Sequence, residues 1–373
     1  MCHYSPTHVS TAIMDVETPA LLLDLDAFER NLDLMATFVQ GRSIQLRPHA
    51  KTHRCPMISW QQIARGAIGI CCQTVGEAEI MVKSGIKDVL VTNQIVSPGK
   101  ARRFASLAKF AQVRCCLDHL DQLRILDEAA KVCGVQIEVL VEIDIGNGRS
   151  GVAPDDRAVE LAAAVNQSGN LQFVGLQAYY GKAQSIRRYR ERRAAVLDAV
   201  QEIRKTMDLL KKRNLNCQIV SGGGTGTFDI DAELGILTEL QAGSYAFMDG
   251  DYLKNDADAH DLFPRFQPSL FVLASVLSYP ISERAVVDVG VKNVSVDCGL
   301  PVVFGRSDVT YYGANDEHGR LNVESKANLA VGDRIWLIPG HCDPTINLYD
   351  TIIGFRNLRL EAIWPISARG ASH

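Results

Sequence analysis

One pattern dominates residues 44–247, in which a short apolar run is followed by an amphipathic stretch and the pair recurs eight times. The runs are rich in Val and Ile, which is typical of strands that helices cover on both faces of a parallel sheet. The predicted strands are 44–48, 67–72, 88–93, 112–118, 136–144, 172–179, 218–223 and 242–247. Eight β-α units predict a (β/α)8 barrel, although strand counting does not exclude an open doubly wound sheet.

The stretches between the runs have the periodicity of helices. Pro98 and Pro154 stand where a proline fits the first turn of a helix. The predicted helices are 54–65, 75–84, 98–110, 119–132, 154–168 and 185–214, with a single short one at 229–238 after the seventh run.

The pattern changes after Pro264, where β-like runs alternate with turn dipeptides such as Pro339-Gly340. These runs are 269–279, 284–296, 308–312, 332–338 and 348–355. Residues 20–24 also have the composition of a strand, and they can join the later runs because chain ends often lie close together. The sequence therefore predicts a barrel over 25–264 and a mostly β domain formed by 1–24 and 265–373.

Composition excludes several classes of protein. The 373 residues carry a net charge of −4, which does not indicate binding to nucleic acid or to a membrane surface. No apolar run approaches the ~18 residues of a membrane span, and no signal peptide is visible. The ten cysteines include no C-x-x-C pair, which indicates reduced and mostly buried thiols. We expect a cytoplasmic protein.

Lys51 is the first candidate for chemistry, because the active site of such a barrel lies at the carboxyl ends of its strands. It follows the first predicted strand, together with Arg47, His49 and His53. Nearby cations and desolvation lower the pKa of a lysine, and the neutral amine then forms Schiff bases. A solvated surface charge is the alternative interpretation.

A glycine-rich loop from Ser221 to Thr227 follows the seventh predicted strand. Its backbone N–H groups and hydroxyls are suited to an anion, and barrels often bind phosphate with the loops after strands 7 and 8. The candidate contacts are Ser221, Gly223, Gly224 and Thr225. A Schiff-base lysine and a phosphate loop together suggest pyridoxal phosphate, with Arg149 against its pyridine nitrogen.

His341-Cys342-Asp343 ends a β-like run. In extended backbone, His341 and Asp343 share one face and Cys342 has the other. A histidine with one carboxylate suits an exchangeable Mn²⁺ or Mg²⁺. A histidine that merely lies near an Asp-Pro turn is the alternative.

With these residues in place, the sequence resembles the D-threonine aldolase family, which are fold-type III pyridoxal-phosphate enzymes with an alanine-racemase-like barrel and a β domain. The resemblance extends from about Thr18 to the C-terminal ISARG. The motifs that carry it are RPHAKTH, GICCQTVGEAE, VEIDIGNGRSGV, LQAYYG, SGGGTGT, TELQAGSYAFMDGDY, NDEHG and PGHCDPT.

The resemblance implies that Lys51 binds the cofactor, that Gln73 and Tyr179 line it with the glycine loop, and that His341 and Asp343 bind the metal. Related D-serine dehydratases have a cysteine ligand where this chain has Asp343, which favours the aldolase branch. The family also implies a homodimer.

One position departs from the family, which usually has a histidine as the base for the substrate's β-hydroxyl. Here that position is Ser185, and a serine is not a base unaided. A metal-bound hydroxide, another histidine such as His53, or a preference for other chemistry are the open explanations.

The function implied is cleavage of D-β-hydroxy-α-amino acids to glycine and an aldehyde. The alternatives are an aldolase that acts on β-hydroxyaspartate and releases glyoxylate, for which Arg187 and Arg188 are candidate carboxylate contacts, and a dehydratase that releases ammonia. A racemase, a non-enzymatic cofactor carrier and a metal-free sugar-phosphate barrel are more remote alternatives.

Overall fold

The computed structural model describes residues 11–257 and 265–373. The strands are β1 (Ala20–Asp24), β2 (Gln45–Leu46), β3 (Ile70–Cys72), β4 (Asp88–Val91), β5 (Gln112–Leu117), β6 (Ile137–Glu142), β7 (Leu171–Ala178), β8 (Ile219–Gly222), β9 (Glu239–Leu240), β10 (Leu270–Ile281), β11 (Arg284–Val287), β12 (Val302–Val303), β13 (Val309–Ala314), β14 (Gly319–Val323), β15 (Arg334–Ile338), β16 (Thr351–Arg356) and β17 (Arg359–Pro365). The helices are α1 (Leu25–Val39), α2 (Pro56–Ala64), α3 (Val75–Lys83), α4 (Pro98–Leu107), α5 (Leu120–Cys133), α6 (Asp156–Gln167), α7 (Tyr189–Lys212), α8 (Phe228–Leu234) and α9 (Cys342–Ile346).

The first of two sheets is the parallel barrel sheet, with strand order β2-β9-β8-β7-β6-β5-β4-β3. Its two edge strands meet through a parallel bridge between His49 and Cys71, where the Cys71 N–H donates to the Pro48 carbonyl at 2.9 Å. The sheet therefore curls round on itself with helices outside it, and the predicted (β/α)8 barrel with a mostly β domain is confirmed.

The last barrel strand is β9 and not the predicted run 242–247, so that prediction was wrong. Residues Ser244–Ala246 form a 3₁₀ turn instead. The run is apolar because α1 covers it: Phe28 packs on Phe247 with ring centroids 6.2 Å apart, and Asn31 Nδ2 donates to the Ala246 carbonyl at 3.2 Å. A segment buried under a helix and a buried strand are both apolar, so composition does not distinguish them.

The adjacent cysteines follow the alternation of a strand. Cys71 and Cys116 pack with Leu90, Leu140 and Val174 in a small buried cluster of the barrel strands. Their neighbours in sequence, Cys72 and Cys115, belong to the larger core that includes the helices. Paired cysteines in β3 and β5 are therefore packing residues.

The second sheet is mostly antiparallel, with strand order β13-β14-β11-β10-β1-β16-β17 and with β15 pairing both β10 and β12. Strand β1, from the N-terminal part of the chain, lies between β10 and β16. The barrel therefore follows a strand that is already paired with the C-terminal sheet. Residues 1–10, and the predicted boundary at 264 within 258–264, lie outside the described residues.

The predicted strand 284–296 ends early, at Val287, and a loop follows it. In this loop Gly290 packs closely against another segment, because a Cβ there would lie 2.4 Å from the carbonyl oxygens of Asn315 and Asp316. The loop continues to the barrel, where Lys254 Nζ donates to the Cys298 carbonyl at 3.5 Å. Its Asp297 and Cys298 thereby reach the same end of the molecule as the candidate site.

No helix within 11–257 or 265–373 is both long enough and apolar enough to cross a membrane.

Candidate active site

A cavity lies at the carboxyl ends of the barrel strands. Its lining residues come from the loops that follow those strands and are His49, Lys51, Thr52, Gln73, Thr92, Arg149, Gln177, Tyr179, Gly224, Thr225, Gln241, Gly243, Ser244 and Tyr252. Six residues predicted from the sequence to bind the cofactor are among them, namely Lys51, Gln73, Arg149, Tyr179, Gly224 and Thr225. The arrangement follows from the parallel strands, all of which end at this rim.

Lys51 lies in a 3₁₀ turn, Ala50–Thr52, directly after β2. Its Nζ forms an ion pair with Asp343 Oδ2 from the β domain. Burial alone would lower the pKa of Lys51, but the Asp343 carboxylate outweighs it and raises this pKa above its usual value. The expected lowering of the lysine pKa by neighbouring cations was therefore wrong for this structure, because the nearest charge is an anion.

The ion pair with Lys51 also changes the pKa of Asp343. Burial alone would raise the pKa of its carboxyl, but Lys51 holds that pKa well below the usual range. The amine and the carboxylate thus join the barrel to the β domain as a charged pair.

His49 is a cavity residue that the sequence analysis treated only as a neighbour of Lys51. Its Nε2 lies 2.9 Å from Thr92 Oγ1, and its Nδ1 accepts the Lys51 N–H at 3.3 Å. Burial, with a further contribution from Lys51, lowers the pKa of His49 well below 6.5, so the ring is neutral. The sequence signal that could have identified His49 as a cavity residue was its position just after a predicted strand.

Arg149 and Tyr179 face each other in the cavity, with the guanidinium carbon 5.7 Å from the centre of the Tyr179 ring. Asp144 shapes the loop that presents Arg149, because its Oδ1 accepts the N–H groups of Gly146 and Gly148, each at 3.0 Å. The glycines are required there, since both have positive φ, +119° and +65°.

The glycine-rich loop contributes Gly224 and Thr225 to the cavity, whereas Gly223 and Ser221 do not line it. A Cβ on Gly223 would lie 2.5 Å from the buried Asp231 carboxylate. The Ser221 hydroxyl accepts from Gln241 Nε2 at 2.8 Å. These two residues therefore support the loop from behind.

Gln184 fixes the next part of this loop. Its Oε1 accepts the Gly226 N–H at 2.9 Å, and its Nε2 donates to Thr227 Oγ1 at 2.9 Å. Ser185, one residue later, is exposed and does not line the cavity. The position at which the family usually has a histidine thus directly follows a residue whose side-chain amide supports the glycine loop.

His53 is completely buried and does not line the cavity. Its Nδ1 accepts the Cys55 N–H at 3.1 Å, and burial lowers its pKa to about 4. It therefore packs beneath the site.

His341 and Asp343 do not lie on one strand. Residues Cys342–Ile346 form the one-turn helix α9, with His341 directly before it, so the expected alternation of a strand was wrong. Pro344 favours this turn, since a proline fits the start of a helix. Cys342 is buried, and its Sγ lies 3.5 Å from Asp343 Oδ1.

His341 instead meets two residues of the loop after β11. Its Nδ1 lies 2.7 Å from Asp297 Oδ2 and 3.4 Å from Cys298 Sγ. Sequence reasoning missed both, because they precede His341 by more than forty positions and directly follow the predicted strand 284–296, where they carried no motif.

Asp249, after β9, holds the α9 segment against the barrel. Its Oδ2 accepts the Cys342 N–H at 3.0 Å and its Oδ1 accepts the Tyr252 N–H at 3.0 Å. This buried carboxylate positions a cavity residue and the His341–Asp343 segment together.

Arg187 pairs with Asp251 and donates to Asn255 Oδ1 at 2.8 Å. The guanidinium therefore already has protein acceptors. Its suggested role as a contact for a second substrate carboxylate is not supported by these bonds.

Two family models match the chain. The alanine racemase N-terminal domain matches residues 23–251, and a putative serine dehydratase domain matches residues 269–355. These two ranges correspond to the barrel and to most of the second sheet.

Curated relatives and solved structures match almost the whole chain. A D-threonine aldolase of Arthrobacter is 42% identical over 98% of this chain and 96% of its own length. A 3-hydroxy-D-aspartate aldolase of Paracoccus denitrificans is 42% identical over 96% of this chain and 94% of its own. The crystal structure of a D-threonine aldolase from Filomicrobium marinum superposes with a TM-score of 0.97 at 45% identity, over 99% of this chain and 100% of that one.

A dehydratase is more distant. The D-threo-3-hydroxyaspartate dehydratase of Delftia is 27% identical over 89% of this chain and 92% of its own length.

Proposed function

This chain belongs to the D-threonine aldolase family, on an alanine-racemase-like barrel, and we propose that it cleaves D-β-hydroxy-α-amino acids to glycine and an aldehyde. It is a carbon–carbon lyase, as are the relatives that share 42% of its residues. The observation that carries the proposal is the ion pair between Lys51, which lines the cavity, and Asp343 of the β domain. This pair places the amine that would bind an aldehyde cofactor next to the carboxylate that would bind a cation.

The cavity has the donor set that pyridoxal phosphate requires. Lys51 supplies the primary amine, Arg149 a fixed cation, and Thr225 with Ser244 hydroxyls beside the glycine loop. When bound, pyridoxal phosphate supplies an electron sink for the electron pair released by bond cleavage.

The residues around it then have separate tasks. Lys51 would hold the cofactor through its amine. Arg149 is always charged, so it would donate to the pyridine nitrogen and disfavour protonation there. Gly224 and Thr225 would offer N–H and hydroxyl groups to the phosphate.

A divalent cation, Mn²⁺ or Mg²⁺, is proposed at His341 and Asp343. An imidazole and a carboxylate are ligands that such ions accept in exchangeable sites. When bound, the cation lowers the pKa of a β-hydroxyl. Asp343 forms an ion pair with Lys51, so a cation held by this carboxylate would lie close to the amine that would hold the cofactor.

Product identification tests the proposal. The purified protein with pyridoxal phosphate should convert D-threonine and D-phenylserine to glycine and the aldehyde in equal amounts, with EDTA abolishing cleavage and Mn²⁺ restoring it. L-Threonine is the stereochemical control. Ammonia in place of glycine and aldehyde would contradict an aldolase, and full activity in EDTA would contradict the cation.

A β-hydroxyaspartate substrate is the second candidate, because of the Paracoccus relative. The same assay decides between them if D-threo-3-hydroxyaspartate is included and glyoxylate is quantified. Since Arg187 is paired with Asp251, we expect D-threonine-type substrates to have the larger kcat/KM.

We also propose that the protein is a cytoplasmic homodimer. Light scattering coupled to gel filtration would give about twice the chain mass of 40.9 kDa.

A further inference from the structure

Asp297, in the loop after β11, contacts the imidazole of His341, one of the two proposed metal ligands. Asp297 Oδ2 lies 2.7 Å from His341 Nδ1. We propose that Asp297 positions His341 for a divalent cation by accepting a hydrogen bond from Nδ1–H, so that Nε2 is the nitrogen offered to the cation. The inference rests on the proposed metal site at His341 and Asp343.

The donor atoms of Asp297, Cys298 and His341 all lie within 4.8 Å of one another, so a three-ligand metal site is the alternative arrangement. The two arrangements differ in which imidazole nitrogen of His341 binds the ion. In the three-ligand site Nδ1 binds the ion, whereas in the proposed arrangement Nδ1 keeps its proton.

The oxygen–nitrogen distance favours the hydrogen bond. Two ligand atoms that each lie about 2.1 Å from one ion are roughly 3 Å or more apart at tetrahedral or octahedral angles. The 2.7 Å between Asp297 and His341 is shorter than that and matches a charge-assisted N–H···O bond.

A chain of hydrogen bonds holds Asp297 in this place. Its second oxygen, Oδ1, accepts from the Ser295 hydroxyl at 2.5 Å. The Ser295 N–H donates to Thr345 Oγ1 at 3.1 Å, and the Thr345 hydroxyl donates to the His341 carbonyl at 2.7 Å. The loop that carries Asp297 and the His341 backbone are thus connected through Thr345 of α9, which holds the carboxylate beside the ring.

The consequence for the ring is a single tautomer. With the proton on Nδ1, the Nε2 lone pair is free, and the carboxylate makes that nitrogen a stronger ligand. Removing such a carboxylate from a histidine ligand costs about 10- to 100-fold in metal affinity. We expect Asp297→Asn to weaken Mn²⁺ binding by that factor.

The experiment measures the Mn²⁺ dissociation constant of the pyridoxal-phosphate-loaded protein from the EPR signal of free Mn²⁺. Asp297→Asn should weaken binding about 10- to 100-fold. Asp297→Glu should recover part of the loss, and Cys298→Ser should bind like the unaltered protein. Equal melting temperatures and cofactor absorption show that the fold is kept.

If Asp297→Asn does not fold, Asp297→Glu must still weaken Mn²⁺ binding relative to the unaltered protein, because its carboxylate is displaced.

Three results would overturn the inference. The first is an unchanged Mn²⁺ affinity in a folded Asp297→Asn. The second is a thiolate-to-cobalt absorption band in the Co²⁺ protein that Cys298→Ser removes, because Nδ1 would then face the ion with that sulfur. The third is a wild-type affinity in His341→Ala, which contradicts the proposed metal site itself and is thereby distinct from the other two.

Discussion

The proposed site has two halves, which meet at the ion pair between Lys51 and Asp343 and are positioned in different ways. Lys51, Arg149 and Tyr179 come from loops that directly follow parallel strands of the barrel. Asp343 and His341 come from a one-turn helix of the β domain. In the first half the direction of the strands decides which residues meet, whereas in the second half tertiary hydrogen bonds do so. Positions in the first half follow from secondary structure alone, and positions in the second do not.

Replacing Lys51 removes the barrel half of the chemistry. In Lys51→Ala no amine holds the cofactor, so the visible absorption band should disappear and kcat/KM should fall by roughly 10³-fold or more. Absorption spectra and initial rates measure both effects. Lys109→Ala, at an exposed position on the barrel's outside, is the control and should change neither. A band that survives in Lys51→Ala would assign the cofactor to another lysine.

Replacing Asp343 removes the β-domain half while leaving the barrel half intact. Asp343→Asn keeps the size of the side chain but loses the charge that faces Lys51 and the proposed cation. We expect the visible band to remain and the Mn²⁺-dependent rate to fall about 10²-fold. Asp316→Asn, at an exposed position of the same domain, should retain activity. Loss of the band in Asp343→Asn would mean that the two halves are not separable.

The sequence predicted more of the barrel half than of the β-domain half, because strand ends can be located from the sequence whereas tertiary hydrogen bonds cannot. Lys51 and Arg149 were found because apolar runs locate strand ends, and strand ends locate the rim. The strand at 242–247 was misplaced because α1 buries that run without pairing it. Asp297 was missed because it lies 44 positions before its partner His341, and no local periodicity encodes a contact at that separation.

Ser185 tests whether the loop after β7 lacks a base. A histidine there would be a general base in the position where the family usually has one, and we expect Ser185→His to raise kcat for D-threonine or D-phenylserine by about 10-fold or more. Steady-state rates against pH would show the added group as a new rising limb near neutrality. Ser185→Asn is the matched control, since it adds size and polarity without a titrating nitrogen. An unchanged kcat in Ser185→His would mean that proton removal does not limit the rate.

The smallest expected effect concerns stability beneath the glycine loop. Asp231 is buried under Gly223 and accepts from the Thr227 hydroxyl at 2.6 Å, and burial raises its pKa from 3.8 to about 7. Between these two values the unfolded chain has lost this proton while the folded chain keeps it, so this group lowers the stability as pH rises from about 4 to about 7. Asp231→Asn does not ionise and keeps an acceptor for Thr227. Its melting temperature relative to the unaltered protein should therefore increase by a few degrees over that range and then level off, whereas Asp208→Asn on the exposed face of α7 should show a constant difference. If the difference for Asp231→Asn is the same at pH 4 and pH 8, the carboxylate is already ionised in the folded protein and the barrel half carries a charge beneath its phosphate loop.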